Sequence, residues 1–283
     1  MTMASAIEQL LGLPVERFLA DHWPRQPVHA SGSTDRLSDL ASAPAAHDIP
    51  SFIRAHSGSL QLHVRQPDGN VRHEPASGEA AIARFHAGTV MDLRDIQRWF
   101  APARAWLDRL AGELAASAGY CHAFISPAGT GVAKHFDNRE VFAIQILGRK
   151  RWRIAPNGAW PMPLMPHAAG GSIHPLNQHA PADVLGETEM PADAATHVLE
   201  PGSVMFVPRG CWHDTLALED SLSFSFGFRN TTRLEKFVAL VTNELAREAE
   251  WRGTAFDARV KRPPGTEEFI DGLRRTLAAM RSR

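Results

Sequence analysis

The stretch Thr130-Gly-Val-Ala-Lys-His135-Phe-Asp137-Asn-Arg-Glu-Val-Phe-Ala-Ile-Gln145-Ile-Leu-Gly148-Arg-Lys150-Arg-Trp152-Arg153 decides how this chain is read. Its apolar residues fall in short runs that predict strands over 132–137, 141–147 and 150–155, the last two as a hairpin across Gly148-Arg149. Residues i and i+2 of a strand point to one face, so His135 and Asp137 offer an imidazole and a carboxylate to a single point. A third ligand is expected from Phe206-Val-Pro-Arg-Gly-Cys-Trp-His213, where a strand ends at Pro208 and the chain turns at Arg209-Gly210. Two neutral imidazoles and one carboxylate on one side of an ion, with the opposite positions open, suit non-haem Fe(II) oxygen chemistry. A His-x-Asp tripeptide alone is a weak signal, and the chain has 14 histidines. His167, His174 and His179 lie in a Pro- and Gly-rich segment and are read as solvated. His63 and His122 are read as histidines satisfied in the core.

Lys150 sharpens the metal reading. In the strand over 150–155, Lys150, Trp152 and Ile154 share one face, while Arg149, Arg151 and Arg153 share the other, which must be the wet one. The lysine then falls on the apolar face, where an unpaired ammonium is expensive. The nearby sequence offers it no carboxylate, and a bound dicarboxylic cosubstrate would supply one. The alternative is an ammonium that reaches water from the strand end.

Outward from this stretch, the 283-residue chain has room for one large domain or two modest ones. Its 30 Lys plus Arg nearly balance 31 Asp plus Glu, so there is no general field for nucleic acid, and none is expected as a partner. Two cysteines allow neither a disulfide framework nor a thiolate zinc site. No apolar run approaches the ~18 residues of a membrane span, and the N-terminus lacks the basic start of a signal peptide. These features predict a cytoplasmic protein with no membrane partner.

The flanks read as helical. A helix over Val15 to Trp23 stops at Pro24 and Pro27, and Leu60 to Val64 alternates as a strand before a turn at Pro67-Asp68-Gly69. A helical stretch from about Asp95 to Ser117, interrupted at Pro102, carries a core face of Trp106, Leu107, Leu110 and Leu114. Strands are expected over 120–126, 197–199, 203–207 and 221–228, and helices from Leu234 and over 267–280. The pattern predicts a mainly β fold with helical flanks, divided into a domain over 1–230 and a C-terminal helical region over 231–283. Between the two metal-binding halves runs a long excursion, Pro156 to about Pro191. Long loops in compact domains tend to be functional. Trp160, the Asn138-Arg139 pair and Trp212 are expected to shape a channel there for an extended polypeptide.

The quoted stretch resembles the core of JmjC-type 2-oxoglutarate oxygenases, and most closely their ribosomal oxygenase (cupin-4) branch. Glu200-Pro-Gly-Ser-Val-Met-Phe-Val-Pro-Arg-Gly-Cys-Trp-His213 is similar to that branch's second histidine segment, and Phe18-Leu-Ala-Asp-His-Trp23-Pro-Arg-Gln26-Pro27 to its opening helix. The resemblance implies a double-stranded β-helix (a jelly roll of cupin/JmjC type) and an Fe(II)/2-oxoglutarate-dependent dioxygenase. It implies His135, Asp137 and His213 as iron ligands, with Lys150 and Ser126 on the distal carboxylate of 2-oxoglutarate. Ser223 and Ser225 lie on a strand that could touch the cosubstrate, with no role assigned. The expected reaction consumes dioxygen and hydroxylates a side-chain carbon of a protein or peptide residue, in a homodimer. The residues after 230 are too few for both the helical dimerisation region and the winged helix of that branch. This leaves open a free amino acid or small natural product as substrate, and a non-enzymatic cupin-type ligand binder as a further alternative.

Overall fold

The serine and phenylalanine alternation of Ser221-Leu-Ser-Phe-Ser-Phe-Gly-Phe228 sets the layering of the molecule. Phe224, Phe226 and Phe228 face a helical layer and are fully buried, while Ser223 and Ser225 face the opposite way. The structure, a computed structural model, describes residues 5–41, 44–65, 71–254 and 266–280. The turn expected at Pro67-Asp68-Gly69 lies outside the described residues.

The strands in chain order are β1 (Val28–Ala30), β2 (Leu60–Arg65), β3 (Val71–Ala76), β4 (Val90–Leu93) and β5 (Ala118–Ser126). Next come β6 (His135–Phe136), β7 (Glu140–Leu147), β8 (Lys150–Ala155) and β9 (His167–Ala168). The last are β10 (Ala195–Leu199), β11 (Val204–Val207), β12 (Trp212–Ala217) and β13 (Ser221–Arg229). They form an eight-stranded sheet, ordered β1-β11-β7-β13-β5-β4-β2-β3, and a five-stranded sheet, ordered β10-β8-β12-β6-β9. Together these antiparallel sheets make the expected double-stranded β-helix.

The hairpin expected across Gly148-Arg149 is not one. β7 pairs with β11 and β13 in the large sheet, whereas β8 pairs with β10 and β12 in the small one. The turn carries the chain from one sheet to the other. Gly148 makes this possible: its φ is +65°, and a Cβ there would sit 2.1 Å from the Asp220 carbonyl oxygen. The strand expected over 132–137 is also shorter. Only His135–Phe136 pairs as β6, and the preceding residues run beside β12, with Thr215 N–H donating to the Val132 carbonyl at 3.0 Å.

The main core lies between the large sheet and the N-terminal helices. Cys121, Ala123 and Ile125 of β5, Phe142, Ile144 and Ile146 of β7, and the three phenylalanines of β13 meet Phe18, Phe52 and Trp106 there. Each fully buried phenylalanine contributes about 1.5–3 kcal/mol. Pro102 does not interrupt a helix but starts one, Ala101–Glu113. The first-turn N–H groups have no intrahelical acceptor, so proline loses nothing there. At the other end of that helix, Glu113 accepts from the backbone N–H of Ala6 (2.6 Å) and Ile7 (3.0 Å), fastening the helix Ala6–Leu11 to it.

The excursion after β8 packs on the outer face of the small sheet. Phe136, Ala155 and Trp212 form a cluster there with Ala180, Leu185 and Met190, and Trp160 leans against it. Lys134 pins the segment: its ammonium donates to the carbonyls of Glu187 (2.7 Å) and Glu189 (2.8 Å) and lies 4.4 Å from the Trp212 ring centroid. Trp212 and Trp160 therefore do not shape a channel at the metal residues, because Trp212, one residue before His213, points to the opposite face. Of the histidines read as solvated, His167 is instead buried, with Nε2 3.0 Å from the Leu185 carbonyl.

The chain divides into two compact units, Met1–Asn230 and Thr231–Arg283. The second contains the helices Arg233–Leu245 and Thr266–Met280. Thr232 and Glu235 close a capping box at the start of the first. Its stripe of Leu234, Phe237, Val238 and Leu240 is exposed, Phe237 to 60%.

Candidate active site

The short β6 strand meets β12 with His135 and His213 as direct partners, which puts both imidazoles on the inner face. Asp137, two residues after His135, joins them. One ligand atom from each of the three lies within 4.8 Å of the others, and His213 Nε2 stands 3.8 Å from Asp137 Oδ2. Both imidazoles are tied back in the same way. His135 Nδ1 lies 2.8 Å from the Ala133 carbonyl and His213 Nδ1 lies 3.0 Å from the Cys211 carbonyl. A carbonyl only accepts, so each Nδ1 carries a hydrogen, and Nε2 is the atom each ring offers to a metal. Burial, helped by the neighbouring His135, pulls the His213 pKa down to about 4, so this ring is neutral at neutral pH. The Trp152 ring stacks on His213 at 5.7 Å and 14°. The Gly210 N–H donates to the Asp137 carbonyl at 2.9 Å, linking the two ligand-bearing segments.

These residues open into a cavity between the sheets, walled also by Tyr120, Phe124 and Thr215. Lys150 is buried on its wall and donates to Ser223 Oγ at 3.1 Å. Burial brings its pKa down to about 7, and no carboxylate among the described residues pairs with it. The arginines of the opposite face are engaged outside, Arg149 with Glu219 at 2.7 Å and Arg153 with Asp214. Ser126 is buried and its hydroxyl has no hydrogen-bond partner, but it is not on the cavity wall. Tyr120 and Phe124 are the wall residues on that strand, and Ser223 is the hydroxyl beside the ammonium. Ser223 and Tyr120 are the residues that sequence reasoning left without a role. The Ser-x-Ser alternation opposite Phe-x-Phe in β13 was the available signal for the first.

Tyr120 lies flat over β13, where a Cβ on Gly227 would sit 2.3 Å from its ring. The Arg139 guanidinium covers the ring at 5.0 Å and donates to Asn138 Oδ1 at 3.1 Å, while Asn138 Nδ2 donates to the Leu164 carbonyl at 2.9 Å. The Asn138-Arg139 pair thus joins a cavity-wall residue to the excursion. His122 is partnered by Asp92 at 3.3 Å, whereas His63 keeps a buried Nε2 without a partner.

Comparison with known proteins agrees with this geometry. The family model described as "JmjC domain" matches residues 100–235. A Bacillus subtilis protein known as YxbC is 22% identical over 97% of this chain and 87% of its own length. The Escherichia coli ribosomal protein uL16 3-hydroxylase is 25% identical over 86% of this chain, which spans 60% of that protein's length. Among solved structures, E. coli ycfD shares the fold with a TM-score of 0.62 at 22% identity, over 96% of this chain and 69% of that one. Another structure shows YcfD, a ribosomal oxygenase, in complex with cobalt and 2-oxoglutarate (TM-score 0.57, 22% identity, 95% and 67% covered).

Proposed function

We propose, from a chain whose residues 100–235 form a JmjC domain of the ribosomal-oxygenase type, that the protein is an iron(II)- and 2-oxoglutarate-dependent dioxygenase. It hydroxylates a side-chain carbon of a protein or peptide residue. The observation that carries this reading is a single cavity holding two imidazoles, one carboxylate and, on the same wall, a buried lysine without a carboxylate partner among the described residues. His135, Asp137 and His213 hold the iron, and Lys150 with Ser223 receives the distal carboxylate of 2-oxoglutarate. Ser126 does not line the cavity itself, and we assign it to the same carboxylate on its unpartnered buried hydroxyl two residues beyond the wall residue Phe124.

Bound iron and 2-oxoglutarate supply the oxidising chemistry: dioxygen and cosubstrate become succinate, carbon dioxide and one hydroxyl on the substrate. The chain's own residues hold the imidazoles in one tautomer, keep His213 neutral and shut the ammonium away from water. The polypeptide substrate is supported by relatives whose names specify it, the uL16 3-hydroxylase and a Drosophila persimilis protein named as a lysine-specific demethylase and histidyl-hydroxylase. The exposed stripe of the helix Arg233–Leu245 is our candidate for a homodimer contact. Two buried, free cysteines suit the reducing cytoplasm in which we place the protein. Among the described residues, no helix is long and apolar enough to cross a membrane. The substrate class is tested by incubating iron-loaded protein and 2-oxoglutarate with a cell lysate. A polypeptide that gains one oxygen atom supports it. Oxidation of a free amino acid or small metabolite, with no polypeptide oxidised, contradicts it.

A further inference from the structure

A second cavity, of about 370 Å³, lies beside the metal-bearing segments. Pro24, Pro156 and Met162 give it apolar sides, and Arg25, Arg209 and Asn157 give it polar ones. The lining is mostly apolar, and three of its side chains carry donors. Arg209 is mostly buried, with 12% of its side chain exposed, and its Nε has no hydrogen-bond partner. The nearest carboxylate, Glu140, stands 4.0 Å away, too far for a hydrogen bond. Asn157 is buried and uses its amide oxygen to accept from the Trp160 N–H at 3.1 Å, leaving Nδ2 unpartnered. Arg25 is exposed and makes no ion pair among the described residues. Buried donors without acceptors are expensive, and charge-assisted bonds to a carboxylate are the strongest way to satisfy them.

The cavity is also well placed to act with the metal site. Cys211 lines it and gives its carbonyl to His213, and Gly210 lines it and donates to the Asp137 carbonyl. Cys211 belongs to the same hydrophobic cluster as Val141 and Trp152, wall residues of the metal cavity.

We propose that this second cavity is a recognition subsite for an acidic side chain of the polypeptide substrate, held by Arg209, Arg25 and Asn157. The inference rests on the polypeptide reading above and adds a charge requirement to it. Proline and methionine walls suit the methylene stem of an aspartate or glutamate. Glu140 beside Arg209 opposes a multiply charged group, which favours a carboxylate over a nucleic-acid phosphate.

The test uses iron-loaded protein, 2-oxoglutarate and a peptide library cut from a bacterial proteome, read by mass spectrometry for oxygen gain. Oxidised peptides should carry Asp or Glu at a fixed distance from the modified residue. In synthetic copies, Glu→Gln at that position should slow oxidation by about tenfold or more, the scale of one charge-assisted hydrogen bond. Arg25→Glu, at an exposed position, should reverse the ranking, so that a copy carrying Lys at that position outruns the Glu peptide. Arg209→Gln should level it. Oxidation without an acidic preference, or a preference that Arg25→Glu leaves unchanged, overturns the subsite while the polypeptide reading stands. Succinate release with no peptide oxidised overturns both.

Discussion

His135 and His213 are direct cross-strand partners, and their ring centroids stand 4.0 Å apart. Two imidazolium ions could not share that space without strong repulsion. Burial and the neighbouring His135 lower the pKa of His213, and the matching Nδ1 tethers aim both Nε2 atoms at the same point. The burial that makes His213 a poor base leaves its Nε2 lone pair free for a metal.

Lys150→Ala should raise the 2-oxoglutarate requirement strongly and leave metal binding in place. Breaking a buried charge pair from one side costs about 3–5 kcal/mol, or roughly two to four decades in affinity. Calorimetric titration of 2-oxoglutarate into manganese-loaded protein measures it. Unchanged affinity would remove Lys150 from the cosubstrate site.

The same lysine sets a pH dependence. Burial lowers its pKa from 10.5 to about 7, so between those values the unfolded chain binds more protons than the folded one. Stability of the cosubstrate-free protein should therefore rise with pH across that window. Cosubstrate binding restores the ammonium and must take up a proton above about pH 7, so affinity should fall as pH rises, by at most about tenfold per unit. Titrations in buffers of different ionisation heat count the proton directly. Lys150→Arg, whose guanidinium stays charged, should flatten the profile, and a flat profile in the unaltered protein would contradict the assignment.

Lys134→Met tests the anchoring of the excursion over 156–191. It leaves two carbonyl groups without their donor and removes a cation from the Trp212 face, a loss of about 1–3 kcal/mol. The Tm should fall, and limited proteolysis should cut the segment faster. Unchanged values of both would show that the apolar cluster alone holds it.

The exposed stripe over Leu234, Phe237, Val238 and Leu240 predicts a homodimer that Phe237→Glu converts to a monomer. Light scattering at working concentration reads both. A monomeric mass for the unaltered chain would remove the stripe from any dimer contact.

Features set by neighbouring residues were legible in the sequence. The alternation that buries Lys150, Trp152 and Ile154 and turns Arg149 and Arg153 outward needs only the period of a strand. The same rule, followed one residue further, would have turned Trp212 away from the cavity. Pairings between distant segments were not legible. Gly148 announces a turn but not that the chain changes sheets there. The Lys150–Ser223 bond joins residues 73 positions apart, through a topology that no local pattern states. The strand Val90–Leu93 was missed because all four of its residues are buried, so it shows no alternation. Three residues that meet at one point were inferred from their chemical types, and what the fold adds is the tethers that orient them.

The most direct test of the central claim is succinate release from 2-oxoglutarate by the unaltered protein and by Asp137→Ala, with and without Fe(II) under air. Iron-dependent succinate from the unaltered protein, none from Asp137→Ala, and a metal affinity reduced by more than the ~10–100-fold of an outer-sphere change are the predicted results. Turnover that survives Asp137→Ala, or no iron-dependent succinate from the unaltered protein, would contradict the account.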